Sequence, residues 1–212
     1  MTEKSDPALT RPVLVVVEGE HDAQFLRRIS RTLHQHRPQL PDLAQFETAG
    51  QVVFVPTGGD LRSWAQRLAA LPHPQFFLCD RETPPVTAQR QPLVEALNQR
   101  PACAARLTTK RACENYLHPE AILEACSVAI EINDDDDVAA LLARKVLELT
   151  RGPDWEALPR RGRTQLRNRI KRTLNTAAVE RMTPALLSER DPASEVPGWL
   201  EAIACLLSST KP

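Results

Sequence analysis

The sequence predicts an α/β protein, a mostly parallel sheet flanked by helices and continued by a helical C-terminal extension. Three observations lead there. Short, continuous apolar runs of strand length occur at residues 13–17, 51–55 and 76–79. Stripes of helical period lie between them, and from residue 136 onward the pattern is helical to the end. Continuous apolarity, unlike strict alternation, marks strands buried on both faces, as in a parallel sheet. The order βαβαβ favours helical crossovers packed on that sheet.

Taken in order, Pro12 precedes the run Val13, Leu14, Val15, Val16, Val17. Residues 21–36 then place Phe25, Leu26, Ile29 and Leu33 on one stripe. After the second β-rich run, Gly58 and Gly59 break the chain, and Asp60 can cap a helix carrying Leu61, Trp64, Leu68 and Leu71. The third strand is followed by residues 83–91, expected as a loop because Pro84 and Pro85 open it and Pro92 stands just beyond. A helix near 93–100, a weaker strand near 104–108 and a further strand at 128–132 complete the expected core. The chain is thus divided into a disordered lead (1–11), an α/β core (12–132) and a helical extension (133–212) that includes a basic helix at about 163–174.

Composition narrows the function classes. The 212 residues are 42% hydrophobic and 25% charged, ordinary for a soluble globular protein. Five cysteines, never in a Cys-x-x-Cys spacing, read as reduced core residues of a cytoplasmic protein rather than a zinc or disulfide frame. No apolar run approaches the roughly 18 residues of a membrane span, so no membrane role is expected. A net charge of zero argues against bulk electrostatic coating of nucleic acid. Residues 151–172, however, hold eight Lys/Arg and two acids, a local +6 that suits a phosphate-binding strip. A homo-oligomer is compatible with the sequence.

The chemistry is expected at the strand ends. Glu18 closes the first strand, at the carboxyl edge where open α/β sheets place their sites. Asp22 stands four residues on, on the inward face with Phe25, Leu26 and Ile29. Asp80 and Glu82 follow the third strand, where alternation aims both one way. If the first and third strands are neighbours, these four carboxylates converge. Like charges so placed need a compensating cation, and hard Mg2+ or Mn2+, one or two ions, suits an oxygen-only set. The acid run 134–137 reads as a helix cap and solvated face.

These residues resemble the Toprim domain of the OLD (overcoming lysogenisation defect) nuclease type. Val17-Glu18-Gly19-Glu20-His21-Asp22 is similar to the family's first acidic motif, and Leu78-Cys79-Asp80-Arg81-Glu82 to its Asp-x-Asp, with the longer Glu82 in place of the second Asp. Pro56-Thr57-Gly58-Gly59-Asp60 resembles its glycine turn, Gly58 and Gly59 being structural. The segment from Lys110 to Leu117 resembles its Arg-x-x-Glu-Asn-Tyr-Leu stretch. The resemblance implies a Rossmann-like Toprim fold and a Mg2+- or Mn2+-dependent endonuclease cutting DNA or RNA. It implies metal ligands at Glu18, Asp22, Asp80, Glu82 and Glu114. It also implies a lysine near the cleaved phosphate, for which Lys171 is the candidate, with Arg167 and Arg163 as further phosphate contacts on the same helix. Such domains are usually joined to an ATPase. This chain has no Gly-x-x-x-x-Gly-Lys-Ser/Thr loop, so a separate ATPase subunit is expected, in an anti-phage defence setting. The alternative is a catalytically degenerate Toprim module that binds nucleic acid or a partner protein.

Overall fold

The computed structural model describes residues 11–150, 152 and 154–209. Nearly all of the expected lead (1–11) lies outside these residues. Four strands, β1 (Val13–Val17), β2 (Val52–Pro56), β3 (Gln75–Cys79) and β4 (Cys103–Leu107), form one sheet in the order β2-β1-β3-β4. Every pairing is parallel. The helices are α1 (Glu20–His36), α2 (Leu43–Thr48), α3 (Leu61–Leu68), α4 (Val86–Asn98), α5 (Pro119–Cys126), α6 (Val138–Leu149), α7 (Arg160–Thr173), α8 (Pro184–Arg190) and α9 (Glu195–Ser208).

The two central strands, β1 and β3, are buried along their whole length because both faces are covered. Val13, Val15 and Val17 of β1 and Phe76 and Leu78 of β3 join a cluster with α1, α2 and α5–α9. Leu14 and Val16, with Phe77 and Cys79, face the other way onto α3 and α4. Period-two alternation thus splits a uniformly apolar strand between two cores. Each fully buried Val or Leu in them contributes about 1.5–3 kcal/mol. Helices from the last third of the chain enter the same cluster: Ile170 of α7, Leu187 of α8, and Trp199, Leu200 and Ile203 of α9. No helix among the described residues is long and apolar enough to cross a membrane.

Two local expectations are corrected, and one helix is added. The expected loop 83–91 is short, because α4 begins at Val86 and carries Pro92 inside it. Residues 128–132 join no strand. Val128 and Ile132 are buried, but against helices, so their spacing reported burial and not ladder pairing. The helix α5 went unforeseen, although His118 caps it and Pro119 opens it.

Candidate metal centre

Since β1 and β3 are neighbours, the chain segments that leave them run side by side. Glu18 leaves β1 and bridges to the other strand end, its Oε1 accepting the Asp80 N–H at 2.9 Å. The glycine turn holds this corner: Gly58 and Gly59 take φ of 65° and 90°, open to glycine at little cost. Gly59 N–H then donates to the Glu18 carbonyl at 3.1 Å, and Thr57 N–H to that of Val17 at 2.9 Å. Asp22 sits in the first turn of α1, 6% exposed, its Oδ2 accepting the Gly19 N–H at 2.8 Å.

Asp80 is 5% exposed. Among the described residues its carboxylate receives no N–H or O–H donor, only the Cys113 thiol at 3.7 Å. Glu82 reaches the same centre by a different route from the one alternation suggested. Residues 80–82 lie beyond β3, and Glu82 takes a left-handed φ of 56°. The turn is held by its own N–H, which donates to the Arg111 carbonyl at 2.8 Å. The longer side chain still brings a carboxylate oxygen within 4.8 Å of ligand atoms on Glu18 and Asp80.

Glu114 is 3% exposed and faces inward; Lys110, four residues earlier, pairs instead with Asp134. Glu114 Oε1 lies 3.2 Å from Lys171 Nζ and accepts Asn175 Nδ2 at 2.8 Å. Lys171 therefore approaches the acids from α7. Arg167, one turn before it, holds Asp137 through Nε at 3.0 and 3.1 Å. Asp137 also caps α6, so the 134–137 run ties elements together as well as facing water. Above the acids lies a cleft of about 880 Å3, lined by Glu18, Asp22, Asp80, Glu82, Gly58 and Gly59 on one side and Arg167, Arg169, Lys171 and Arg172 on the other. Arg163 is on α7 but not among the lining residues.

The electrostatics follow from burial. Desolvation, then the Glu114 charge, pushes Asp22 up to about 7. Asp80 is raised well above the carboxylate range by burial, then by Asp22, Glu18 and Glu114. Burial also raises Glu18, although Arg90 opposes it. For Lys171, burial favours the neutral amine, but Glu114, Asp22 and Asp80 more than offset it and hold the pKa above the usual lysine range. Asp22 and Asp80 are thus driven toward their protonated forms, and ionising both calls for a further cation. Its outer donors, Glu18, Asp80 and Glu82, are all oxygen and fit a hard divalent ion.

Four participants were missed by sequence reasoning. Arg90 falls in the expected loop 83–91, yet its guanidinium pairs with both oxygens of Glu18 and donates to the Asp80 carbonyl. Cys113 is the reduced core residue expected, but it also meets Asp80, and its position beside Glu114 is the available signal. His21 lines the cleft. Asn175, four residues after Lys171, shares its target.

No family model matches the chain, and no curated protein does. A solved structure does: the C-terminal region of the Xanthomonas campestris pv. campestris OLD protein, phased with iodine, matches with a TM-score of 0.50 at 15% identity, covering 93% of this chain and 96% of that one. The chain has the fold of an OLD C-terminal region. At that identity the likeness speaks for the OLD-like fold alone.

Proposed function

We propose that this chain is a cytoplasmic, divalent-cation-dependent nuclease that hydrolyses phosphodiester bonds of DNA or RNA, working with a separate ATPase subunit in anti-phage defence. The observation that carries the reading is the convergence of Glu18, Asp22, Asp80, Glu82 and Glu114 beneath a cleft whose other wall is cationic. Mg2+ or Mn2+, one or two ions, would be held by these five acids, and when bound supplies Lewis-acid polarisation of a phosphoryl oxygen and a water of lowered pKa.

The chain's own residues do the rest. Arg169 and Arg172, both exposed on the α7 wall, meet backbone phosphates on either side of the scissile bond without reading sequence. Lys171 stays protonated and shares its ammonium between Glu114 and the phosphate on which charge develops. Glu18, locked by the Asp80 N–H and by Arg90, is preorganised rather than mobile. The OLD-like fold supports a nuclease relationship.

The test is cleavage of plasmid, linear and single-stranded DNA and of tRNA by the purified protein with Mg2+ or Mn2+. Glu18→Gln and Asp80→Asn should each abolish cutting while the protein stays folded. Lys171→Ala should lower the rate by about 10²–10³-fold. Cleavage that survives either carboxylate change places the active site elsewhere. One observation favours a second reading, a binding module with a silent site: Arg90 and Arg111 already pair with Glu18 and Glu82. A protein that binds nucleic acid but takes up no Mn2+, by electron paramagnetic resonance, would be that module.

A further inference from the structure

The donor atoms of the centre fall into two groups that share one residue. Glu18, Asp80 and Glu82 form the outer group, and Asp22, Asp80 and Cys113 form an inner one whose ligand atoms also lie within 4.8 Å of one another. All three inner residues are buried, and the inner group is the one that contains sulfur. Two features mark it as more than packing. The Asp80 carboxyl, 5% exposed, meets the Cys113 thiol but receives no N–H or O–H donor among the described residues, so its ionised form lacks the partners a buried carboxylate needs. The spacing also fits an ion. Bond lengths of about 2.3 Å to sulfur and about 2.1 Å to oxygen, opened at the tetrahedral angle, place two donors about 3.6 Å apart. Cys113 Sγ and Asp80 Oδ1 are separated by 3.7 Å.

We propose that Asp22, Asp80 and Cys113 form an inner cation subsite for a thiophilic divalent ion of the Zn2+ class, adjoining the outer oxygen-only group through Asp80. Softer metals select thiolate and hard ones oxygen, so the two groups divide cations by chemistry. On binding, the S–H bond breaks, a metal–sulfur bond forms and the proton leaves to solvent. This deepens the metal reading above, because it uses the same Asp80, but it does not depend on hydrolysis.

Cd2+ is the probe. Titrated into the full chain, it should produce an ultraviolet thiolate-to-metal absorption band that saturates at one equivalent, and a cadmium-113 resonance shifted toward sulfur ligation. Cys113→Ser should abolish both signals, and Asp22→Asn should weaken Cd2+ binding at least tenfold. Cys205→Ser, changing an exposed cysteine away from the centre, should leave them intact. Should Cys113→Ser fail to fold, Asp22→Asn together with the cadmium resonance still decides the matter. A band that persists in Cys113→Ser, or oxygen-only ligation in the unaltered protein, overturns the proposal. Mn2+ paramagnetic resonance reads the outer group in parallel. Mn2+ uptake without a cadmium–sulfur signal rejects the inner subsite alone, whereas a cadmium–sulfur signal without Mn2+ uptake rejects the hard-metal nuclease reading and keeps the subsite.

Discussion

Asp22 and Asp80 are buried carboxylates with few groups to hold their charge, and that imbalance has consequences for stability. The folded-state pKa of Asp22 is about 7, against 3.8 for the free side chain. Between those values the folded chain binds a proton that the unfolded chain does not. Stability must therefore fall as pH rises from about 4 to about 7, by up to about 1.4 kcal/mol per pH unit for one proton. Asp137 is shifted the other way, because hydrogen bonds from Arg167 and Ala140 more than offset its burial, but its effect lies below pH 3.8. His21, lowered from 6.5 by burial and then by Lys171, opposes the trend below pH 6.5, whereas Asp80 and Glu18, raised like Asp22, add to it. Thermal melts in EDTA should thus show a higher melting temperature at pH 5 than at pH 7.5. Added Mg2+ should flatten the difference, and a metal-free protein most stable at pH 7.5 would contradict the charge balance described here. Asp80→Asn removes one of the mutually repelling charges. It should stabilise the metal-free fold by on the order of 1 kcal/mol or more while abolishing cleavage, the opposite sign from a carboxylate kept for structure.

At the scale of elements, the centre depends on an irregularity. Directly after α7 the chain forms a π-helical turn, Leu174–Ala178, a feature often found at functional sites. Asn175 opens inward there, fully buried, donating to both Glu114 and the Lys171 carbonyl at 2.8 and 2.9 Å. It thereby fixes the acid that Lys171 pairs with. Asn175→Ala should cost about 1–3 kcal/mol in urea denaturation and loosen Lys171, since a buried acceptor loses its neutral donor. This contact also shows where legibility stopped. β1, β3 and α1 could be read from apolar period, and Glu18 and Asp80 from their place at strand ends. Arg90 meets Glu18 across 72 residues, Asn175 meets Glu114 across 61, and Cys113 meets Asp80 across 33. No local pattern encodes such pairs. The convergence of Glu82 was anticipated for an insufficient reason, since a left-handed turn rather than strand alternation delivers it. The residues 128–132 err in the other direction, because a periodic apolar pattern states that side chains are buried without stating against what.

At the scale of the whole molecule, the last third of the chain both lays a layer on the sheet and completes the cleft. Trp199 of α9 is 2% exposed and meets Tyr116 edge-on at 5.1 Å between ring centroids. Tyr116 lies two residues after Glu114, in the short 3-10 turn Cys113–Tyr116 that carries Cys113, Glu114 and Asn115. Packing by α9 is therefore transmitted directly to the turn that holds two of the site's donors. Glu195, at the start of α9, adds a hydrogen bond from the Thr109 N–H at 3.1 Å, anchoring the chain just before that turn. Trp199→Ala should cost about 3–5 kcal/mol, the usual penalty for emptying a buried tryptophan site. Residual folded protein should bind Cd2+ and Mn2+ more weakly, because Cys113 and Glu114 lose their backing. Trp199→Phe, which keeps an aromatic wall, should recover most of both. Removal of residues 195–212 should go further and abolish cooperative unfolding altogether, since Val196, Trp199, Leu200 and Ile203 belong to the same buried cluster as β1 and β3. A truncated chain that still melts cooperatively and still takes up Mn2+ would instead make the preceding residues a self-sufficient unit, with α9 an accessory to it.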